Sequence, residues 1–239
     1  MVRIDKSYTS NDHENRETDV YAFPKYEWTI RALKKIKVKE SARIGNIGCG
    51  AGTFTQLLQL NDFNVYSTEP DPDARAMAML NCEPVGVIHP FGIFDLPKTE
   101  LFEVVVMHDV LEHIERETEA IEIVANHLLP GGFFLLTVPA MPALFGFHDV
   151  QLGHFRRYSK KSIALALKRD FQIVDIRYYG FFSIPIVWIF SKKLRRAYPL
   201  GDPQKPSIVQ RIYSKLCSIE GYVPAPRGTS LLVVAKLVD

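Results

Sequence analysis

Hydrophobic and polar positions along the chain follow two kinds of spacing. Short apolar runs, typical of buried strands, cover residues 42–47, 64–68, 103–107, 133–138, 171–178 and 231–237. Between them, apolar residues three or four positions apart predict helices over 22–38, over 53–60, from Pro72 onward, around Ala120, Ile121, Val124 and Leu128, and over 160–168. Strands that alternate with helices predict βαβ crossovers, and therefore a mainly parallel sheet that helices cover on both faces.

Residue types at the predicted boundaries agree with these elements. Asp71 stands directly before Pro72, and Ser159 directly before Lys160, so each offers a capping oxygen at the start of a helix. Pro130-Gly131-Gly132 ends the helix around Ala120 and introduces the strand at 133–138.

The predicted elements fit a single domain. The chain has 239 residues, a length at which one undivided α/β domain is common. We therefore expect one domain over residues 1–239, with no internal repeat. Within it we expect an N-terminal helical cap over 1–41. Residues 180–228, rich in proline and aromatic residues, are expected to form a helical insertion between the last two strands.

Composition and charge exclude several classes of protein. Hydrophobic residues make up 47% and charged residues 23% of the chain, which rules out a disordered or fibrous protein. With 29 Lys and Arg against 27 Asp and Glu, the chain lacks the basic excess of a nucleic-acid-binding protein. Three scattered cysteines favour a reducing compartment. The absence of a signal peptide or a bilayer-length apolar segment predicts a cytoplasmic location.

A glycine-rich turn follows the first predicted strand. Gly48, Gly50 and Gly52 allow the backbone to approach a ligand closely, and the next helix begins with free amide donors. The third glycine of a dinucleotide fingerprint is replaced by Thr53, which disfavours an NAD-dependent oxidoreductase. Glu69 ends the second strand, where a carboxylate can accept both ribose hydroxyls of an adenosine. The alternative is a turn that only packs a strand against a helix.

Four motifs stand in order between residues 43 and 179. They are the segment 43–52, Glu69-Pro70-Asp71, Leu96-Pro97 with the apolar run 101–106 after it, and Leu129-Pro130-Gly131-Gly132. Together they resemble the class I S-adenosylmethionine-dependent methyltransferases. The resemblance implies a Rossmann-like fold with a seven-stranded, mostly parallel sheet whose last strand is antiparallel. It also implies S-adenosyl-L-methionine as the cofactor and S-adenosylhomocysteine as the product.

The same resemblance implies roles for individual residues. The three glycines would line the methionine and ribose portions of the cofactor, Glu69 would hold the ribose hydroxyls, residues 92–95 would approach the adenine, and His108 would lie beside the methionine portion. Two positions depart from the family pattern, since Asn46 replaces an acidic residue and Asp95 is only the nearest equivalent of the acidic adenine contact. The implied cofactor-binding residues are Asn46, Gly48, Cys49, Gly50, Gly52, Glu69, Pro70, Asp95 and His108.

Titratable side chains follow two of the predicted strands. One group, after the strand at 103–107, contains His108, Asp109, Glu112 and His113, and the other, after 133–138, contains His148, Asp149, His154, Arg156, Arg157 and Tyr158. Both groups are expected at the carboxyl edge of the sheet, where open α/β sheets bind ligands. The sequences DVLEH and D…GHxRRY resemble those of a methyltransferase branch associated with surface polysaccharide, glycolipid and secondary-metabolite pathways.

These residues allow three interpretations. In the first, His154 is the catalytic base, Asp109 and His148 assist it, and the substrate is bound by Arg156, Arg157 and Tyr158. In the second, the segment is structural, with Arg157 paired to Asp149 and Tyr158 in the core.

In the third interpretation, Asp109, Glu112, His113 and a later histidine bind a metal, as in metal-assisted O-methyltransferases that act on catechols or on RNA 2′-hydroxyls. Because DVLEH also occurs in metal-independent relatives, no metal ligands are assigned.

The apolar segment Phe181–Phe190 precedes the basic residues Lys192, Lys193, Arg195 and Arg196. Such a segment can lie in a membrane interface, which would give a peripheral membrane contact through 181–196 and suggest a lipid-linked acceptor. The alternative, which we favour, is a helix that packs over the active site or against a second copy of the chain.

The sequence therefore predicts a methyltransferase that acts on an oxygen or nitrogen of a small-molecule, sugar or lipid-linked acceptor. Nucleic acid is not the expected acceptor. Two alternatives stay open: a metal-assisted O-methyltransferase, and a non-catalytic scaffold that binds S-adenosylmethionine or S-adenosylhomocysteine. The sequence does not indicate the oligomeric state.

Overall fold

A computed structural model describes residues 21–82, 87–196, 208–220, 222–223 and 225–238. The strands are β1 Arg43–Ile47, β2 Asn64–Thr68, β3 Ile88–His89, β4 Phe102–His108, β5 Leu128–Pro139, β6 Phe171–Tyr179 and β7 Ser230–Leu237. The α-helices are α1 Phe23–Lys35, α2 Thr53–Gln59, α3 Pro72–Asn81, α4 Glu117–Asn126, α5 Phe147–Leu152, α6 Lys160–Leu167, α7 Ile184–Val187 and α8 Ile208–Glu220. Short 3₁₀ turns cover Ile93–Asp95, Leu111–His113 and Pro142–Leu144, and a π-helical stretch over Trp188–Leu194 continues α7.

The strands form one seven-stranded sheet in the order β3-β2-β1-β4-β5-β7-β6. The pairs among β1 to β5 are parallel, and β7 runs antiparallel to both of its neighbours, β5 and β6. The expected α/β fold with a reversed last strand is confirmed. The carboxyl ends of β1, β2, β4 and β5 consequently lie along one edge of the sheet.

Helices cover both faces of this sheet. Alternate residues of β4 point to opposite sides, so that Val105 and Met107 pack with α4 and α6, whereas Val104 and Val106 pack with α1 and α2. In α1, Trp28 and Leu33 are buried on the face that meets the sheet. The long apolar runs predicted from the sequence are therefore strands buried on both faces.

Capping contacts set the start of two helices as predicted. The Asp71 carboxylate accepts hydrogen bonds from the amides of Asp73 and Ala74 at 3.1 and 2.9 Å, and the Ser159 hydroxyl accepts one from Ser162 at 3.0 Å. Each cap satisfies amides that the first turn of a helix leaves unpaired.

Two expectations about the elements are wrong. Leu128, expected on the face of α4, instead begins β5, because α4 ends at Asn126. Gly131 and Gly132 follow within β5, where the register against β4 jumps: Phe102 pairs with Leu128, but Val104 pairs with Phe133. The motif therefore forms an irregularity inside a strand. The resemblance implied a seventh strand, but its position at β3 was not predicted.

Residues 180–228 contain α7, its π-helical continuation and α8 in the part that the structure describes. The buried Glu220 carboxylate, at the end of α8, accepts hydrogen bonds from the amides of Gly180, Phe181 and Phe182. The division into a cap over 1–41 and an insertion over 180–228 stays a prediction, and residues 1–20 and 197–207 lie outside the described residues. Among the helices in the described ranges, none has both the length and the apolar character needed to span a bilayer.

Candidate active site

The glycine-rich turn leaves β1 with three residues in the left-handed region. Gly48, Gly50 and Gly52 have φ angles of 73°, 56° and 87°. The amides of Gly48 and Cys49 both donate to the Thr68 carbonyl at 2.9 Å, which ties the turn to the end of β2. A Cβ at Gly48 would lie 2.7 Å from a methyl group of Val110. The turn therefore needs glycine for its backbone angles, and at Gly48 any side chain would also collide with Val110.

Glu69 connects this turn to the segment after β2. Its carboxylate accepts hydrogen bonds from the Gly50 amide at 2.8 Å and from the Asp71 amide at 2.9 Å. The side chain is largely buried, and the Arg75 guanidinium donates to the Glu69 carbonyl at 2.8 Å. A buried carboxylate held beside a glycine turn is the group expected to accept a pair of ribose hydroxyls.

The segment expected near the adenine lies beside this carboxylate. A Cβ at Gly92 would be 3.8 Å from the Pro70 side chain, so residues 92–95 and the Glu69-Pro70 pair form adjacent walls. Asp95 ends the 3₁₀ turn and is exposed. Cys49, in the glycine turn, is half-buried, and burial together with the nearby Glu69 raises the pKa of its thiol, which is therefore neutral at physiological pH.

Two further residues of the predicted cofactor set contact protein side chains. The buried Asn46 amide donates to the Thr55 hydroxyl at 3.0 Å. The buried His108 ring lies 3.2 Å from the Thr29 hydroxyl and 3.3 Å from the Thr137 hydroxyl. These contacts hold α1, α2 and the strand ends together, and direct contact of either residue with the cofactor stays a prediction.

A buried lysine of α1 meets the carboxyl end of β4, which sequence reasoning missed. Lys25 is paired with the carboxylate of Asp109, a residue with a φ of 53°. Burial alone would lower the pKa of Lys25, but the charge of Asp109 outweighs it and raises that pKa above its ordinary value. Thr137 donates to the same carboxylate at 3.0 Å. A signal was present, because Lys25 lies on the same helical stripe as the buried Trp28.

Asp149 organises the segment after β5. This fully buried carboxylate accepts hydrogen bonds from Arg157 Nε at 2.6 Å and from the Gly146 amide at 2.8 Å, and it lies 3.0 Å from His154 Nδ1. Burial alone would raise its pKa, but the contacts with His154 and Arg157 outweigh burial and lower that pKa to about 2. Asp149 is therefore ionised at neutral pH and fixes the orientation of the His154 ring.

The other residues of the GHxRRY sequence contact the protein itself. The Arg156 guanidinium donates to the Ile114 and Glu115 carbonyls at 3.0 and 2.8 Å, and the Tyr158 hydroxyl donates to Glu117 at 2.7 Å. With Arg157 paired to Asp149, these contacts favour the structural interpretation of Arg156, Arg157 and Tyr158. Substrate binding by the three residues stays a prediction.

The two predicted groups of titratable residues meet at His154. Its ring centroid lies 4.6 Å from that of His113 in an edge-to-face arrangement and 6.4 Å from that of His148. The Phe155 amide donates to the Glu112 carbonyl at 2.8 Å, which joins the segments after β4 and β5. Potential ligand atoms of Glu112, His113 and His154 all lie within 4.8 Å of one another. Asp109, expected in this group, pairs with Lys25 instead.

Apolar and basic side chains are exposed in the turn before α7 and in its π-helical continuation. Phe181, Phe182, Trp188, Ile189 and Leu194 are each 39–51% exposed. Lys193 lies over the Trp188 ring, and Lys192 donates to the Phe145 carbonyl. A pocket of about 510 Å³ lies between this segment and α5.

The mostly parallel sheet with its reversed last strand and the glycine turn after β1 are the features of a class I methyltransferase. The sequence profile of a protein family described as a methyltransferase domain matches residues 20–176. Since this match covers more than half of the chain, the chain belongs to that family and is an S-adenosylmethionine-dependent transferase. The residues present fit S-adenosylmethionine, because the glycine turn lies directly beside the buried Glu69 carboxylate, which accepts a hydrogen bond from the Gly50 amide.

Solved structures share this fold over nearly the whole chain. A complex between the Haloferax volcanii Trm112 methyltransferase activator and a methyltransferase matches with a TM-score of 0.66 at 16% identity, covering 100% of both chains. The N-methyltransferase NodS from Bradyrhizobium japonicum WM9, solved with S-adenosylhomocysteine, matches with a TM-score of 0.59 at 16% identity, covering 98% of this chain and 100% of NodS. The plantazolicin methyltransferase BpumL, also solved with S-adenosylhomocysteine, matches with a TM-score of 0.62 at 16% identity, covering 98% and 90%. No curated protein sequence matches the chain.

Proposed function

We propose that the protein transfers a methyl group to an oxygen or nitrogen of a small-molecule, sugar or lipid-linked acceptor. The observation that carries this proposal is the arrangement of two half-sites along one edge of the sheet. The glycine turn and Glu69 follow β1 and β2, and the residues that contact His154 follow β4 and β5. Ligands of open α/β sheets bind along this edge.

The cofactor half-site binds and orients the methyl donor. When bound, S-adenosylmethionine supplies a methyl group on a positively charged sulfur, and S-adenosylhomocysteine remains after transfer. The Glu69 carboxylate would hold the ribose hydroxyls, and the backbone of Gly48 to Gly52 would line the ribose and methionine portions. Residues 92–95 stand beside Pro70, where they would border the adenine.

The acceptor half-site is proposed to activate the acceptor through His154. Asp149 engages Nδ1 of this ring, so Nε2 is the nitrogen left for the acceptor side. His148 and Asp109 are proposed as neighbouring acceptor-side groups, Asp109 in its pair with Lys25. The DVLEH and D…GHxRRY sequences support membership of the branch associated with polysaccharide, glycolipid and secondary-metabolite pathways.

A lipid-linked acceptor is supported by the exposed segment 181–196. Its exposed aromatic and aliphatic side chains are followed by four basic residues, a combination that suits the surface of an anionic membrane. The packed alternative that the sequence favoured would cover these side chains, which are exposed in the described part of the chain, and we therefore propose a cytoplasmic protein that contacts the membrane peripherally through this segment. Sedimentation with anionic vesicles at low salt should carry the protein down, and no sedimentation would contradict the contact.

The test of the proposed function uses S-adenosylmethionine labelled with tritium in the methyl group. The protein is incubated with a fractionated extract of its source cells, with heat-killed protein as the control, and the products are partitioned between organic and aqueous phases. Label in the organic phase would identify a lipid-linked acceptor, and label in the aqueous phase a sugar or small metabolite. Binding of S-adenosylhomocysteine without any transferred label would favour the scaffold alternative.

The acceptor role of His154 has its own test. His154→Ala should leave the affinity for S-adenosylhomocysteine nearly unchanged and lower the transfer rate, because the residue stands at the acceptor half-site. His89→Ala changes a histidine in the edge strand β3, away from the segments after β4 and β5, and tests whether loss of any imidazole has this effect. Equal transfer by the His154 variant and the wild type would contradict the assignment.

A further inference from the structure

We propose that Glu112, His113 and His154 form a binding site for a divalent transition-metal ion at the acceptor half-site. The role of the ion in methyl transfer rests on the proposed function. The binding site itself follows from side chains of this chain. It does not require Asp109, which pairs with Lys25.

The three side chains converge from separate parts of the chain. Glu112 and His113 lie in the 3₁₀ turn after β4, His154 follows α5, and their potential ligand atoms lie within 4.8 Å of one another. A backbone hydrogen bond of 2.8 Å from Phe155 to Glu112 joins the two segments directly beside the ligands. Bound to Zn²⁺ at about 2.0 Å, donor atoms stand about 3.3 Å apart. Binding of the ion therefore requires these side chains to move closer together, and His113 is the exposed member of the three.

Asp149 supplies the carboxylate that usually holds the second ring nitrogen of a metal-binding histidine. A histidine ligand commonly directs its second ring nitrogen to a carboxylate, which fixes the orientation of the ring and increases its basicity. Asp149 holds this position at Nδ1 of His154, is fully buried and is itself held by Arg157 and by the Gly146 amide. Because Asp149 engages Nδ1, Nε2 is the ring nitrogen of His154 that would bind the ion.

The chemistry of the ligands indicates which ions would bind. Two imidazoles and one carboxylate suit Zn²⁺ or another first-row transition ion better than Mg²⁺, which prefers oxygen ligands. Glu112 is fully buried while His113 is exposed, so the ion would be anchored on the protein side and open toward solvent. Three protein ligands leave a coordination position for an oxygen or nitrogen of the acceptor. His154 would then activate the acceptor through the ion.

The site can be tested without measuring activity. Full-length protein is treated with a chelator, dialysed and titrated with Zn²⁺ in an isothermal calorimeter, and Co²⁺ is used as an optical probe of the coordination geometry. We expect the protein to bind one equivalent of Zn²⁺. The Co²⁺-loaded protein should show visible absorption bands typical of nitrogen and oxygen ligands. Glu112→Gln and His154→Ala should each weaken Zn²⁺ binding at least 10-fold. Asp149→Asn removes the charged support of His154 together with the counterion of Arg157, and at a temperature at which it is folded it should weaken Zn²⁺ binding about 10- to 100-fold.

The control is His89→Ala, which removes an imidazole that stacks on Tyr66 in β2. It should bind Zn²⁺ as tightly as the wild type, and circular dichroism shows whether each variant is folded. The inference is overturned if the wild type binds no stoichiometric ion, or if the Glu112 and His154 variants bind as well as the control. If the chelator-treated protein binds no Zn²⁺ and still transfers methyl groups, the metal site is rejected and the proposed function stands. Zn²⁺ binding without methyl transfer would instead support the ion and contradict the proposed function.

Discussion

Replacement of Asp149 by asparagine should destabilise the protein strongly. Asp149 is fully buried, and it balances the Arg157 guanidinium, whose side chain is only 4% exposed. Asparagine has the same shape but no charge, so Arg157 would be left as a buried cation without its counterion. Removal of one partner of a buried ion pair costs about 3 to 5 kcal/mol.

The pKa of Asp149 gives a second measure of the same interaction. That pKa is about 2 in the folded protein, against an ordinary value of 3.8. At about 1.4 kcal/mol for each pH unit, the ionised form contributes about 2 kcal/mol to the free energy of unfolding. Because the folded-state pKa is lowered, this contribution is complete above about pH 4 and is lost as the pH falls toward 2. Asp149→Asn should lack this part of the pH dependence.

The assay is thermal unfolding followed by circular dichroism, in the presence of a chelator so that no bound ion affects the result. In a domain of this size, 1 kcal/mol corresponds to about 2 to 4 °C in Tm, so Asp149→Asn should lower Tm at pH 7 by about 6 to 20 °C. The matched control is Asp62→Asn, an exposed position with a φ of 62° that asparagine tolerates. The reasoning is refuted if Asp149→Asn melts within 2 °C of the control.

Three further substitutions test the cofactor half-site and the Lys25–Asp109 pair. Glu69→Gln removes the charge of the ribose-type carboxylate and should weaken S-adenosylhomocysteine binding about 10-fold or more in calorimetry, since a hydrogen bond to a charged group contributes about 1.5 to 3 kcal/mol. Gly50→Val places a branched side chain at a φ of 56° and should abolish that binding in the same assay. Lys25→Met leaves Asp109 without its cation and should lower the free energy of unfolding by about 2 kcal/mol in urea titrations, while Lys25→Met with Asp109→Asn should recover part of the loss.

Each of these three has a clear contrary result. Unchanged S-adenosylhomocysteine affinity in Glu69→Gln or Gly50→Val would place the cofactor elsewhere, provided that circular dichroism shows folded protein. Asp62→Asn again serves as the control and should bind as the wild type does. For Lys25→Met, a double variant no more stable than the single variant would show that Asp109 does not depend on the lysine.

Local sequence determined the elements and the cofactor half-site. The apolar runs of β1, β4 and β7 identify buried strands, because a strand covered on both faces needs apolar residues at nearly every position. The glycine turn and Glu69 lie at consecutive strand ends of the chain, so their proximity follows from the parallel arrangement alone. The four ordered motifs likewise identify the family without coordinates.

Short or irregular elements were beyond this kind of reasoning. Strand β3 has only two residues, too few for any periodicity to be read, and exists because Ser67 and Thr68 of β2 offer it a parallel edge. Leu128 continues the apolar spacing of α4 in the sequence. In the structure it belongs to β5, because it pairs with Phe102 of β4.

Long-range electrostatics were decided only by the tertiary structure. The sequence places Lys25 and Asp109 84 positions apart, and burial at the end of β4 makes them a pair. The same holds for the acceptor half-site: Asp149, His154 and Arg157 are close in sequence, but only the fold buries the carboxylate, lowers its pKa and brings His154 to Glu112 and His113. A charge acts according to its burial and its neighbours, and both depend on contacts between distant segments of the chain.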